Sequence, residues 1–259
     1  MISQFYIFEP GKTSVIILGM SSDPTRLAYW LLKDINKAIR DFEMIQDGDR
    51  IGVALSGGKD SLSLLRLLDW RRKSVPQRYE LVALHILGDA RGPACPTHPP
   101  LIEWLQNSGY EYAIEPVIVS EDEILPMNCV RCTRNRRRTL FQVFRQMGCN
   151  VIAFGHHADD LAQTTLLNLL FGGRVETMSP RRDYFEGELR LIRPLCYTRE
   201  KAIQRFARAN PDFPSPPPKC PISDETRRQR AEELIQQAEG WAKNARKNLL
   251  RAGLRGNKI

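Results

Sequence analysis

The chain's 259 residues suffice for one large α/β domain with appendages and a real hydrophobic core. Its 38 Lys and Arg against 30 Asp and Glu leave a net charge of +8, an excess that favours a polyanionic partner. No apolar run is long enough to cross a bilayer, and Ser14 to Gly19 is too short and lacks the basic flank of a signal peptide. A cytoplasmic, membrane-free protein is therefore expected, and its six cysteines read as thiols or metal ligands, not a disulfide framework.

Residues 1 to 24 give a mixed signal without an assignable role. From Thr25 to Glu43, Leu27, Trp30, Leu31, Ile35 and Ile39 mark an amphipathic helix, expected to pack on the sheet edge. Arg50 to Leu55 is the first strand. Ser56-Gly57-Gly58-Lys59-Asp60-Ser61 follows as a turn, and Leu62, Leu64, Leu65 and Leu68 open a helix. Two adjacent glycines let the main chain approach an anion closely, and the following helix points its free N–H groups into the same space. Ser56 and Ser61 add hydroxyl donors, Lys59 adds charge, and Asp60 is a candidate magnesium ligand. Neither a Walker A loop nor a G-x-G-x-x-G fingerprint is present.

Tyr79 to Ile86 reads as the second strand and Gly88 to Pro100 as a loop, whose Cys95 and His98 are read as loop residues in preference to metal ligands. Leu101 to Ser108 is a short helix and Tyr112 to Val119 the third strand. Asn128-Cys129-Val130-Arg131-Cys132 leads into a helix running to Met147. Val151 to Phe154 is the fourth strand, followed at once by Gly155-His156-His157-Ala158-Asp159-Asp160 and a helix from Leu161 to Phe171. Arg190 to Leu195 is a fifth strand, and Thr198 to Ala209 a basic helix with Thr198 as N-cap. Pro211 to Pro221 should be extended, Glu225 to Leu250 helical, and Arg251 to Ile259 a frayed tail. Strands alternating with helices call for a parallel sheet covered on both faces.

Cys129-x-x-Cys132 suits zinc, an iron–sulfur cluster or redox use equally well, and Arg131 and Arg134 beside it would favour the thiolates. Cys220 is a third candidate ligand; Cys149 and Cys196 read as core. Arg131, Arg134, Arg136, Arg137, Arg138 and Arg145 form one basic zone, and Arg181, Arg182, Arg199, Lys201, Arg205 and Arg208 a second. Both suit a phosphate backbone, with Arg134, Arg137 and Arg138 as the leading contacts.

The Ser-Gly-Gly-x-Asp-Ser loop resembles that of the PP-loop ATP pyrophosphatases. Asn36 to Ile45, Cys129-x-x-Cys132, Gly155-His156-His157-x-Asp159-Asp160, Phe171-Gly172-Gly173, Arg193-Pro194-Leu195 and Arg199-Glu200-Lys201 together resemble the tRNA 2-thiocytidine synthetases, from about Leu27 to about Leu234. The resemblance implies an α/β, Rossmann-like domain of the adenine nucleotide alpha hydrolase type with helical N- and C-terminal appendages. The expected divisions are 1–46, 47–212 for catalysis and 213–259. It implies ATP held by Ser56 to Ser61 with Gly155, His156 and Asp160, and magnesium on Asp60, with Asp160 a candidate for magnesium or for helix capping. Cys129, Cys132 and Cys220 would hold a 4Fe–4S cluster, and an anticodon-loop cytidine would exchange its C2 oxygen for sulfur from sulfide or a cysteine desulfurase. A homodimer is a further implication. Pro217 stands where the family often has the first cysteine of another Cys-x-x-Cys pair. The rivals are a 2-thiouridine or lysidine synthetase, which share the loop; a small-molecule adenylating enzyme, which needs no basic face; and a zinc-dependent RNA-binding module, which needs no such loop.

Overall fold

The computed structural model describes residues 23–93, 98–218 and 227–257. Its elements run α1 (Pro24–Asp41), β1 (Asp49–Leu55), α2 (Lys59–Arg72), β2 (Tyr79–Leu87), α3 (Pro99–Asn107), β3 (Glu111–Pro116), α4 (Cys129–Gln146) and β4 (Val151–Ala153). Then follow α5 (Ala158–Gly172), β5 (Arg181–Tyr184), β6 (Leu189–Ile192), α6 (Glu200–Arg208), α7 (Arg227–Glu239) and α8 (Ala245–Gly256).

The sheet order is β3-β2-β1-β4-β6-β5, parallel except for β5, which pairs antiparallel with β6. Chain direction across the sheet reverses between β1 and β4. That is the switch point outside the strand carboxyl ends where open α/β sheets receive ligands. In β1 the side chains alternate: Ile51, Val53 and Leu55 join a core with Leu62, Leu65 and Phe206 on one face. On the other face Val82, Leu84 and Ile152 pack with Leu140, Val143 and Phe144 of α4. A Cβ at Gly52 would overlap the Phe144 ring, so this glycine makes room on β1 for the aromatic ring that α4 lays over the sheet.

The amino ends of the strands are tied by one buried carboxylate. Asp49 accepts from Arg190 Nη1 (2.9 Å), Asn150 Nδ2 (2.8 Å) and the Gln46 N–H (2.6 Å), joining β1, β4 and β6.

Several elements depart from the sequence reading. α1 lays Ala28, Leu31, Ile35, Ala38 and Ile39 against α2 and α6 in the helix layer, not on a sheet edge. The fifth strand is shorter than expected and gains a neighbour, β5. Arg181-Arg182-Asp183-Tyr184 lacks an apolar alternation because it is an edge strand protected by charge. α6 begins at Glu200 with Arg199 at the N-cap; Thr198 is buried and does not cap it. The expected single C-terminal helix is two, broken after Glu239 at Gly240, which folds Arg246 back onto Glu232 and Glu239. The tail is helical to Gly256, with no room for a Cβ at Gly253 against Thr165 or at Gly256 against the Val175 carbonyl. Among the described residues no helix is long and apolar enough to cross a membrane.

Candidate active site

Gly57 takes φ +81°, and a Cβ there would come within 2.6 Å of His98 Nδ1, so the loop needs glycine for both conformation and space. The serines brace the loop. Ser61 Oγ donates to the Gly58 carbonyl (3.0 Å) and accepts from the Ser56 N–H (3.2 Å), while Ser56 Oγ accepts from the Gly58 N–H (3.2 Å). With Gly58 as N-cap, no side chain among the described residues caps the first turn of α2, so its N–H groups remain directed at the space outside β1.

Lys59 Nζ reaches Glu200 Oε1 at 2.8 Å and Asp60 Oδ2 at 3.1 Å. Burial disfavours the ammonium, yet the Glu200 hydrogen bond and the Asp60 charge outweigh it and hold the lysine above its ordinary pKa. Burial raises the Asp60 pKa against the opposing pull of Lys59 and His157. Its Oδ1 is buried and accepts no hydrogen bond from the described residues. An unsatisfied carboxylate oxygen suits a hard divalent cation, and the open helix N-terminus beside it suits the phosphates such a cation would accompany.

The loop after β4 closes the other wall. A Cβ on Gly155 would lie 3.0 Å from the Asp60 carbonyl carbon and the Ser61 nitrogen, so its glycine permits the close approach of the two loops. His156 stacks on Phe154 and accepts from Arg193 Nε (3.3 Å). Burial first, then the Arg193 charge, lowers its pKa to about 4, leaving it neutral. His157 is the N-cap of α5: its Nδ1 accepts from the Asp160 N–H (3.4 Å), while Asp160 Oδ2 accepts from the His157 N–H (3.0 Å). With Nδ1 accepting, Nε2 is the ring nitrogen left to donate, and it lies 3.9 Å from Asp60 Oδ1. Asp160 is thus occupied in a capping box, and Asp60 is the carboxylate left open to a cation.

Two residues outside the expected site complete it. Asp159 Oδ2 accepts from the Glu200 N–H (2.7 Å), capping α6 from outside, and its Oδ1 meets Arg199 (3.2 Å) and Arg246 (3.2 Å). That cap sets Glu200 onto Lys59. The adjacent Asp159-Asp160 pair after a strand was the available signal; the lysine contact was not readable, since 141 positions separate Lys59 from Glu200.

Asn128 caps α4 by accepting from the Arg131 N–H (2.9 Å), which places exposed Cys129 in the first turn and Cys132 one turn on. This helix start sits beside Gly88 to Ala90, just past β2, at the same carboxyl end of the sheet as the loop. Arg131 is paired with Glu123 (2.7 Å), and partly buried Arg136, bonded to the Gly88 carbonyl, is a further cation near Cys132. Cys95 and Cys220 lie outside the described residues, and among the described residues no three His, Cys, Asp or Glu side chains converge on a metal position. Cys149 and Cys196 are core, their pKa values pushed up by burial to about 11 and about 12. Arg134, Arg137 and Arg138 are exposed on α4.

The PP-loop domain family matches residues 31–211. A tRNA-cytidine(32) 2-sulfurtransferase of Delftia acidovorans is 36% identical over 238 residues, covering 88% of this chain and 73% of that protein. The corresponding Cupriavidus necator protein is 38% identical over 232 residues, covering 86% and 71%. One from Erwinia tasmaniensis reaches 41% over 191 residues, covering 70% of this chain and 60% of its own length. The chain thus spans about 60% of several curated relatives. A solved U34-tRNA thiolase of Methanococcus maripaludis with its 4Fe–4S cluster shares the fold at TM-score 0.67 and 22% identity, covering 88% of this chain and 79% of that one.

Proposed function

This chain belongs to the PP-loop domain family and, within it, to the tRNA-cytidine(32) 2-sulfurtransferases, and on that premise we propose that it is an ATP-dependent tRNA sulfurtransferase acting in the cytoplasm. The observation that carries the reading is spatial: the glycine loop follows β1 and the Cys129–Cys132 turn lies against Gly88 to Ala90, which follow the neighbouring parallel strand β2, so both lie at the carboxyl end of the sheet. An adenylating loop alone fits many substrates; one beside a pair of thiols fits the exchange of oxygen for sulfur.

In this reading residues 47–212 form the catalytic unit. The uncapped first turn of α2 and Lys59 bind the triphosphate, Gly155 and His156 wall the nucleotide, and Asp60 Oδ1 holds magnesium. The cytidine C2 oxygen bonds to the α-phosphorus as the bond to pyrophosphate breaks, so a poor leaving group becomes part of AMP. Sulfide then bonds to C2 and AMP departs, with no net electron transfer. Cys129, Cys132 and Cys220 are the residues that would hold a 4Fe–4S cluster, whose chemistry here is to carry the inorganic sulfur nucleophile. Sulfide or a cysteine desulfurase is the donor, Arg134, Arg137 and Arg138 contact RNA phosphates, and the working assembly is a homodimer.

The test is nucleoside mass spectrometry of tRNA incubated anaerobically with cluster-reconstituted protein, ATP, magnesium and sulfide. 2-Thiocytidine is expected. 2-Thiouridine or lysidine instead would assign the chain to a sister reaction, and no modified nucleoside would overturn the reading.

A further inference from the structure

Helix α8 carries Arg246, Lys247, Arg251 and Arg255 and no carboxylate. A cavity of about 560 Å³ opens beside it, walled by these residues together with Lys37, Arg199, Tyr197, Leu250 and Leu254, and no acidic residue among the described residues lines it. The acids near its walls are already engaged: Asp41 by Lys37 and Tyr197, Asp159 by Arg199 and Arg246, and Glu232 and Glu239 by Arg246. Lys247, Arg251 and Arg255 are different. They are exposed, and none forms an ion pair or side-chain hydrogen bond among the described residues.

Positions four apart on a helix share one face and rise about 6 Å per step. The three cations therefore form a row, and repulsion within the row persists until an anion neutralises it. A row suits a linear polyanion better than a single phosphate does. Behind it, Leu250, Leu254 and the Tyr197 ring, with Lys37 Nζ 4.5 Å from the ring centroid, give an apolar and aromatic wall. Single-stranded RNA presents charged backbone and unstacked base in this arrangement. The groove also adjoins the active site in the chain: Ala158 and Arg199 line it, while their neighbours His157 and Glu200 face Asp60 and Lys59.

We infer that the α8 groove binds the phosphate backbone of the substrate RNA, a contact surface separate from the arginines of α4. The inference rests on the reading of tRNA as substrate. On this account RNA reaches the reaction centre held on two sides, by α4 beside the cysteines and by α8 beside the nucleotide loop.

The test compares tRNA binding by the whole chain and by the triple variant Lys247→Ala, Arg251→Ala, Arg255→Ala between about 50 and 200 mM salt. Loss of three phosphate contacts should make the slope of log affinity against log salt shallower by about 2 to 3. Thermal melting should be little changed, since none of the three has a partner to lose among the described residues, and affinity for ATP alone should be unaltered. Unchanged slope and affinity for tRNA, with the unsubstituted chain binding tRNA in a salt-dependent way, overturns the α8 assignment and leaves the proposed function standing. Loss of ATP binding with an unchanged tRNA slope also overturns it, because the groove would then be a nucleotide site. An unsubstituted chain that binds tRNA without salt dependence, or not at all, removes the substrate reading and this inference with it.

Discussion

Arg246 of α8 reaches Asp159 at 3.2 Å, and that carboxylate also accepts the first N–H of α6. The contact links the C-terminal helix to the nucleotide loop, because the capped turn carries Glu200 to within 2.8 Å of Lys59. Asp159→Ala should therefore do two separable things. Loss of the cap should cost about 1 kcal/mol, with more from the buried Arg246 charge left short of a partner. Release of Lys59 should lower kcat/KM for pyrophosphate formation by roughly tenfold, equivalent to about 1.4 kcal/mol. Asp159→Asn keeps an oxygen for the Glu200 N–H and should recover most of the turnover but not all of the melting temperature. Equal turnover in the alanine variant and the parent would break the proposed link.

Asp60 sets activity against stability. Its folded pKa is raised by burial, so across the window from the ordinary carboxyl value up to the raised one the folded state holds more protons than the unfolded state. Stability from this group therefore falls as pH rises through that window, and at neutral pH its charge is a net cost. Asp60→Asn should raise the melting temperature in magnesium-free buffer while reducing ATP turnover by at least a hundredfold. A variant that is less stable at neutral pH, or that retains turnover, contradicts the assignment.

His156 works in the opposite direction. Its pKa falls to about 4 in the fold, so between an unfolded value near 6.5 and that figure the unfolded state binds the extra proton. Stability from keeping this ring neutral is present above pH 6.5 and drains away as pH falls toward 4, by up to about 3 kcal/mol. His156→Gln, which leaves an acceptor for Arg193 Nε, should flatten that part of the stability–pH curve measured by urea unfolding. A curve parallel to the parent's would place the acid sensitivity elsewhere.

Cys129 and Cys132 lie at the solvent-facing start of α4, where substitution removes no core packing. Serine at either position, or at Cys220, should reduce the visible absorption and iron content of anaerobically reconstituted protein severalfold without moving the far-ultraviolet dichroism. Stoichiometric zinc and no iron in the parent protein would replace the cluster with a structural metal.

The parts of this molecule legible in its sequence were those set by local chemistry. The glycine turn between an apolar strand and a helix, the helix after Asn128 and the core position of Cys196 each depend on neighbours within a few residues. What escaped depends on distant partners. Glu200 became a site residue only because α6 is capped by a carboxylate from another helix, and Thr198, a sound N-cap by composition, is buried instead. β5 was silent because an edge strand carries charge where an inner strand carries valine and isoleucine. The helical tail was unreadable because Gly253 and Gly256, weak helix formers alone, are there to pass close to Thr165 and Val175.

If ATP is spent on the base oxygen itself, as proposed, the fate of that oxygen is the direct measurement. tRNA transcribed with cytidine labelled with oxygen-18 at C2 should be incubated with the reconstituted protein, ATP, magnesium and sulfide, and the nucleotide products weighed by mass spectrometry. The account predicts one labelled oxygen in AMP for each 2-thiocytidine formed. Unlabelled AMP, or label in pyrophosphate or water, would contradict it.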